Sequence, residues 1–218
     1  MMAGMARDER KRQLKLMKTR RKEKAKKKHL ARVAAAFPVW SPERTIQHAR
    51  QYPIHECLIN PNWEEEGLAD IVVTRRQSDD LVLFGVYLVD TFCLGLKSTF
   101  CNADVPLRSY EDEFRVRYSG NLGAERCSAT LAHQIIYGAI DYAASLGFQP
   151  HQDFVQTRHV LEERDQIPPN PALEFGHDGK PLYITGLDDD EDRVDQILGH
   201  LTNRLGEDGF HFMIGGPA

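Results

Sequence analysis

No window of this sequence approaches the ~18 consecutive apolar residues that a membrane-spanning helix needs. The N-terminus is charged and has no apolar stretch behind it, so no secretory leader is expected. Cysteine is scarce. Cys57, Cys93, Cys101 and Cys127 are the four, and no two of them share a CxxC-type spacing. Without a leader they read as reduced thiols in a cytoplasmic protein. An HxxxH pair and internal repeats are lacking too, so no zinc set and no repeat array are expected. The acidic run at 188–192 lacks the alternating ligands and closing Glu of a calcium loop. No helix directly follows the glycines of FGHDGKP, so they read as turn glycines and not as a phosphate loop. No cofactor and no metal are assigned from these residues, and no membrane partner is expected.

What is present is a marked division of charge. Residues 1–36 hold 14 Lys/Arg against 3 Asp/Glu, while residues 37–218 hold 14 against 29. A basic arm, 1–36, therefore precedes an acidic body, 37–218, read as one globular domain. The arm has neither Gly nor Pro between Met5 and Phe37, and no Phe, Tyr or Trp before Phe37. Good helix formers dominate it, but neighbouring cations repel one another. A disordered or nascent helix is expected, ending at Phe37-Pro38.

In the body, Ser41-Pro42-Glu43 reads as a helix start, with that helix running to about Gln51. A short helical turn at Trp63–Glu66 is expected to stop at Gly67. Two β-rich runs, Ile71–Arg76 and Leu81–Asp90, flank the polar turn Gln77-Ser78-Asp79-Asp80 and predict a hairpin. The second run is apolar on both sides: Leu83, Tyr87 and Val89 on one, Val82, Phe84, Val86 and Leu88 on the other. Such a strand is central and covered on both faces. A short helix is expected at SYEDEF. A long amphipathic helix follows in SATLAHQIIYGAIDYAASLGF, and another is expected to open at Pro150 and carry Phe154, Val155 and Leu161. Asp178-Gly179 marks a second hairpin, and a last helix is expected over Arg193–Leu205, followed by an edge strand in GFHFMIGG. These elements make an α+β protein: two hairpins in an antiparallel or mixed sheet, packed by amphipathic helices.

Three segments stand out: YLVDTFCLGLK, GFQPHQDF and FGHDGKP. In this order, as YLVDxxCLGxK, GFxPHxDF and FGxDGKP, they resemble a family of bacterial hypothetical proteins with no established activity. The resemblance covers about residues 52–214. It implies one domain and supplies no mechanism. It points to Asp90, Cys93, Gly95, Lys97, His151, Asp153, Gly176, Gly179 and Lys180.

Four of these residues are candidates for chemistry: Asp90, Cys93, His151 and Asp153. Asp90 ends an apolar strand, where a catalytic carboxylate can stand. Cys93 becomes a nucleophile if a base such as His133 or His151 reaches it. His151 and Asp153, at a helix N-terminus, could hold a phosphate, or a divalent metal with a third ligand such as Asp90 or Asp141, as in a metal-assisted hydrolase. The competing reading is structural: Cys93 packs as a small hydrophobe and Asp90 caps the turn that follows it. In the arm, Arg10, Lys11, Arg12, Lys18, Arg20, Arg21, Lys22, Lys26, Lys27 and Lys28 are candidate phosphate contacts. Each phosphate they neutralise releases condensed counterions. The resulting expectation is a non-catalytic protein that associates with RNA or a ribonucleoprotein through residues 7–32, its acidic body meeting a protein partner. The alternatives are the hydrolase and a plain protein-interaction module in which the arm is incidental.

Overall fold

A computed structural model describes residues 43–186 and 189–214. The arm lies outside the described residues, with every cation from Arg10 to Lys28 named above, and so does the Ser41-Pro42 helix start. The protein is α+β. Its main sheet has five strands: β1 (Ile54–Ile59), β2 (Leu68–Arg76), β3 (Leu81–Asp90), β4 (Gly95–Pro106) and β5 (Glu125–Cys127). Their order is β4-β3-β2-β1-β5, and every neighbouring pair is antiparallel. The helices are α1 (Glu43–Gln47), α2 (Trp63–Glu66), α3 (107–122), α4 (Ala129–Ser145), α5 (Phe154–Thr157) and α6 (Glu191–Leu205). Two short strands, β6 (Leu182–Ile184) and β7 (His211–Met213), form a separate parallel pair.

The β2–β3 hairpin forms with the expected turn, closed by Gln77 N–H donating to Leu81 O at 2.9 Å. Strand β3 lies between β2 and β4, and its two faces divide as the alternation predicts. Leu83, Tyr87 and Val89 enter the core beneath α4, while Val82, Phe84, Val86 and Leu88 enter the core beneath α3. Each such side chain contributes about 1.5–3 kcal/mol by leaving water. Tyr87 leans back over Gly85, where any Cβ would stand 2.5 Å from its hydroxyl oxygen.

Helix α4 starts at Ser128, whose hydroxyl accepts from Leu131 N–H at 3.1 Å. Its buried stripe of Ala132, Ile135, Ile136, Ala139, Ile140 and Ala143 faces the sheet. The opposite face is covered by α3, which is longer than the short helix expected. It runs through Leu107–Ser109, a π-helical stretch Tyr110–Arg115, and Val116–Leu122. Tyr110, Phe114 and Tyr118 repeat every four residues and stack ring on ring over the sheet.

Two expectations need correction. The helix expected after Pro150 shrinks to the four residues of α5, and Val155 on it is exposed. Arginine side chains take the carbonyls that a continuing helix would use. Arg75 bonds Val160 O at 2.6 Å, and Arg50 bonds Leu161 O at 2.7 Å and Arg158 O at 3.0 Å. The second hairpin keeps its turn, with Asp178 and Gly179 both at positive φ, but its pairing ends at His177–Lys180. The next ladder donor, Leu182 N–H, goes to Phe92 O at 3.1 Å, and β6 pairs with β7 instead of joining the main sheet.

Helix α6 begins beside the expected acids. Asp190 caps it by accepting from Arg193 N–H at 2.8 Å. Ile197 and Leu201 bury its inner face against Cys93, Leu146 and Tyr183.

Candidate functional site

The three segments singled out in the sequence meet at one corner, around the loop that joins β3 to β4. Backbone hydrogen bonds tie them together. His151 N–H donates to Leu96 O at 3.0 Å, Gly176 N–H to Thr91 O at 2.9 Å, and Leu182 N–H to Phe92 O at 3.1 Å. The loop is tight for a local reason. Asp90 pairs with Gly95 across the ladder, and Gly95 carries φ 68°. A Cβ on Gly95 would stand 2.7 Å from the Ala143 Cβ and 2.9 Å from Ala139 O. Only glycine lets the C-terminal half of α4 lie this close to the turn.

Beside this corner opens a cleft of about 650 Å³. Leu94, Leu96, Phe148 and Ile197 supply its apolar lining, while Lys97, His151, Arg193 and His200 bring cationic or titratable groups. Asp190 and Asp192 lie on the same wall, from α6. His200 is fixed there: its Nε2–H donates to Leu146 O at 2.8 Å, and its ring leans on Phe148 at 4.9 Å. Arg193 is held by Asp189, 3.3 Å away. The volume suits a small molecule, but acids and bases are mixed on its walls.

The candidate residues divide by environment. Asp90 is buried, and its Oδ1 accepts from the N–H groups of Phe92 and Cys93, each at 2.9 Å. That is the capping geometry of an Asx turn. Cys93 is fully buried among Leu146, Tyr183, Ile197 and Leu201. Burial first, and the Asp90 carboxylate second, push its thiol far above the ordinary range. A thiol so placed stays protonated and is a poor nucleophile. His151 and Asp153 sit together near the surface. His151 Nδ1 accepts from Asp153 N–H at 3.3 Å, and the Asp153 carboxylate lies 3.7 Å from the same nitrogen. Among the described residues no group of three His, Cys, Asp or Glu stands close enough to hold a metal ion.

His133 is not placed to activate Cys93. It lies in the first turns of α4, ten residues before Ala143, or roughly 15 Å along the helix at the usual rise. Both ring nitrogens are occupied: Nε2 accepts from Glu162 N–H at 2.9 Å, so Nδ1 carries the proton and donates to Ala129 O. Burial lowers its pKa and keeps it neutral. Tyr137 and Asp141, on the same ridge, hold the 162–164 segment. The Tyr137 hydroxyl donates to Glu162 O at 2.7 Å, and Asp141 pairs with Arg164.

Two buried polar clusters had no signal strong enough to stand out in the sequence. Arg75, with its side chain 1% exposed, donates to Val160 O, to Tyr52 O at 2.7 Å and to Glu162 at 2.8 Å. Glu56 is buried on β1. It accepts from the Tyr110 hydroxyl at 2.9 Å, and that hydroxyl accepts from Thr74 at 2.8 Å. Arg115 and Arg126 lie 3.2 and 3.0 Å from the Glu56 oxygens, Arg126 off the hydrogen-bond direction. The available cue was a charged residue inside a β-rich run: Arg75 in IVVTRR, Glu56 in IHECLI.

Comparison of the chain with protein-family models, with curated proteins and with solved structures returns no match. Among the described residues no helix is long and apolar enough to cross a membrane.

Proposed function

We propose that this is a non-catalytic protein that associates with nucleic acid, RNA or a ribonucleoprotein before DNA, through its basic arm. The observation that carries this reading is the separation of charge: 14 cations against 3 anions in residues 1–36, and 14 against 29 in residues 37–218. The engagement of the body's own cations supports it. Arg50, Arg75, Arg115, Arg126, Arg164 and Arg193 are ion-paired within the body. Arg76, Lys180 and Arg204 donate to backbone carbonyls. With nine of the body's 14 cations engaged in this way, the arm is the denser source of cations for phosphate contacts. The burial of Cys93, the capping role of Asp90 and the structural role of His133 favour this reading over the hydrolase built on Asp90, His151 and Asp153.

The test uses the full chain and a variant with Arg20, Arg21, Lys22, Lys26, Lys27 and Lys28 changed to Gln. Binding of generic single-stranded RNA and duplex DNA is measured across a salt series. Each lost phosphate contact lowers the log–log salt slope by about 0.7 on single strands and about 0.9 on duplex. The six substitutions should therefore flatten the slope by up to about four and five units. Equal affinities and equal slopes for the two proteins would remove the proposal.

A further inference from the structure

We propose that Cys57 and Cys127 form a thiol–disulfide exchange pair, a modification site whose co-reactant is a low-molecular-weight disulfide of the glutathione type. The two residues are direct partners in the antiparallel register of β1 and β5. Directly opposed residues project from the same face, with Cα atoms about 4.5–5.5 Å apart. A disulfide spans Cα separations of about 4.4–6.8 Å, so the bond closes with little backbone movement. Both side chains belong to the core beneath α4, Cys57 within it and Cys127 packed at its margin. Both are free thiols here. The other two cysteines are out of reach. Cys101 is on β4, three strands from β1, or roughly 14 Å at the usual strand spacing. Cys93 is buried in the separate cluster under α6.

The difference in exposure sets the order of events. Cys127 is half-buried on a three-residue edge strand, and Cys57 is buried. The Cys127 thiol loses its proton to solvent, and its sulfur attacks one sulfur of the small disulfide. That S–S bond breaks, a mixed disulfide forms on Cys127, and one thiolate leaves and takes up a proton. Cys57 then loses its proton and attacks the Cys127 sulfur, expelling the second thiolate. Two protein thiols are oxidised and one small disulfide is reduced to two thiols. The closed bond fastens β5, the strand joining α3 to α4, to the interior of the sheet.

Burial raises the Cys57 thiol to about 12, with the neighbouring Cys127 as the next cause, and raises Cys127 to about 11. Exchange is therefore slow near neutrality and accelerates about tenfold per pH unit, following the thiolate fraction. The experiment incubates the reduced full chain with glutathione disulfide over a range of neutral to alkaline pH, quenches with an alkylating agent, and maps peptides by mass. The expected product is a Cys57–Cys127 linkage forming about tenfold faster per pH unit. In Cys57→Ser a stable glutathione adduct accumulates on Cys127, and in Cys127→Ser neither adduct nor linkage forms. The linked chain melts several degrees higher, because the bond closes a long loop. Three results would overturn the proposal: a persistent Cys127 adduct in the unchanged chain, a linkage through Cys93 or Cys101, or no reaction under conditions that oxidise the urea-unfolded chain.

Discussion

Replacing Arg75 by Met should destabilise the fold by about 3 kcal/mol, more than any exposed ion-pair change can. The side chain is 1% exposed and makes three hydrogen bonds: to Val160 O at 2.6 Å, Tyr52 O at 2.7 Å and Glu162 at 2.8 Å. Methionine fills a similar stem but donates nothing. Two backbone carbonyls lose a charged donor, at roughly 1–3 kcal/mol each where water cannot replace it. Glu162 is different. Its side chain is 32% exposed, so water reclaims it and little is lost there. Against these costs, methionine avoids the desolvation of a guanidinium, which returns part of the loss. The carbonyls therefore decide the sign, and Glu162→Gln alone should cost under about 1 kcal/mol. Urea unfolding of the three proteins, with their slopes compared, measures both numbers. If Arg75→Met costs less than about 1 kcal/mol, or if Glu162→Gln costs as much, the reasoning fails. The first result would mean that the 158–162 segment finds other donors, and the second that the ion pair is the real tie.

Gly95→Ala should lower stability by about 2–4 kcal/mol, combining a left-handed alanine with a Cβ driven against the α4 backbone. Calorimetry would read this as a fall in Tm of roughly 5–15 °C, and a change under 2 °C would show that α4 shifts freely. His133 gives a pH signature. Burial lowers its folded-state pKa, so the unfolded chain binds the proton more readily. Stability then falls as pH drops below about 6.5 towards the folded value, by at most ~1.4 kcal/mol per pH unit. Unfolding midpoints measured from pH 7 downwards should lose part of that slope in His133→Gln.

The β2–β3 hairpin was legible because two independent signals agreed: the polar turn at 77–80 and the strict alternation through Leu83, Phe84 and Tyr87. Helix α4 was legible through its stripe and its Ser128 cap. Strand β4 was not, because its buried positions include Thr99 and Asn102, which weaken the apolar alternation. Strand β1 was missed for a similar reason: Glu56 is buried where the pattern calls for an apolar residue. Its place is justified only by Tyr110, Arg115 and Arg126, which come from segments 54 or more residues away. The same distance hid the fate of the segment after Pro150. By local pattern HQDFVQTRHVLEERD predicts a helix, but only Phe154–Thr157 forms one, because Arg75 and Arg50, from far upstream, take the carbonyls beyond it. At the candidate site, the capping role of Asp90 was readable from its place before a turn. The meeting of the three segments around 91–97 was not, since it depends on backbone hydrogen bonds between segments distant in sequence.

The division of charge raises a competition that bears directly on the proposed function. With 29 carboxylates and 14 cations, the body cannot neutralise itself, while residues 1–36 of the same chain carry 14 cations against 3 anions. On the proposed reading, covalent linkage alone would give the arm an effective concentration on the order of millimolar towards the body. Weak arm–body contacts would then be the alternative to nucleic acid that the salt series must distinguish. Nucleic acid competes on charge density, carrying one phosphate per about 1.7 Å of duplex, with condensed counterions to release. The body's carboxylates hold no such atmosphere, and Glu56, Asp141, Glu162, Glu163 and Asp189 already face arginines of the body. Both attractions weaken with salt, but only the nucleic-acid complex does so with a slope proportional to its phosphate contacts. If the arm binds nucleic acid as proposed, the acidic body would be an internal competitor. On this reading it would discourage adhesion to weak polyanions and yield to dense ones, so the salt series should show weaker binding to sparse polyanions than to RNA or duplex DNA.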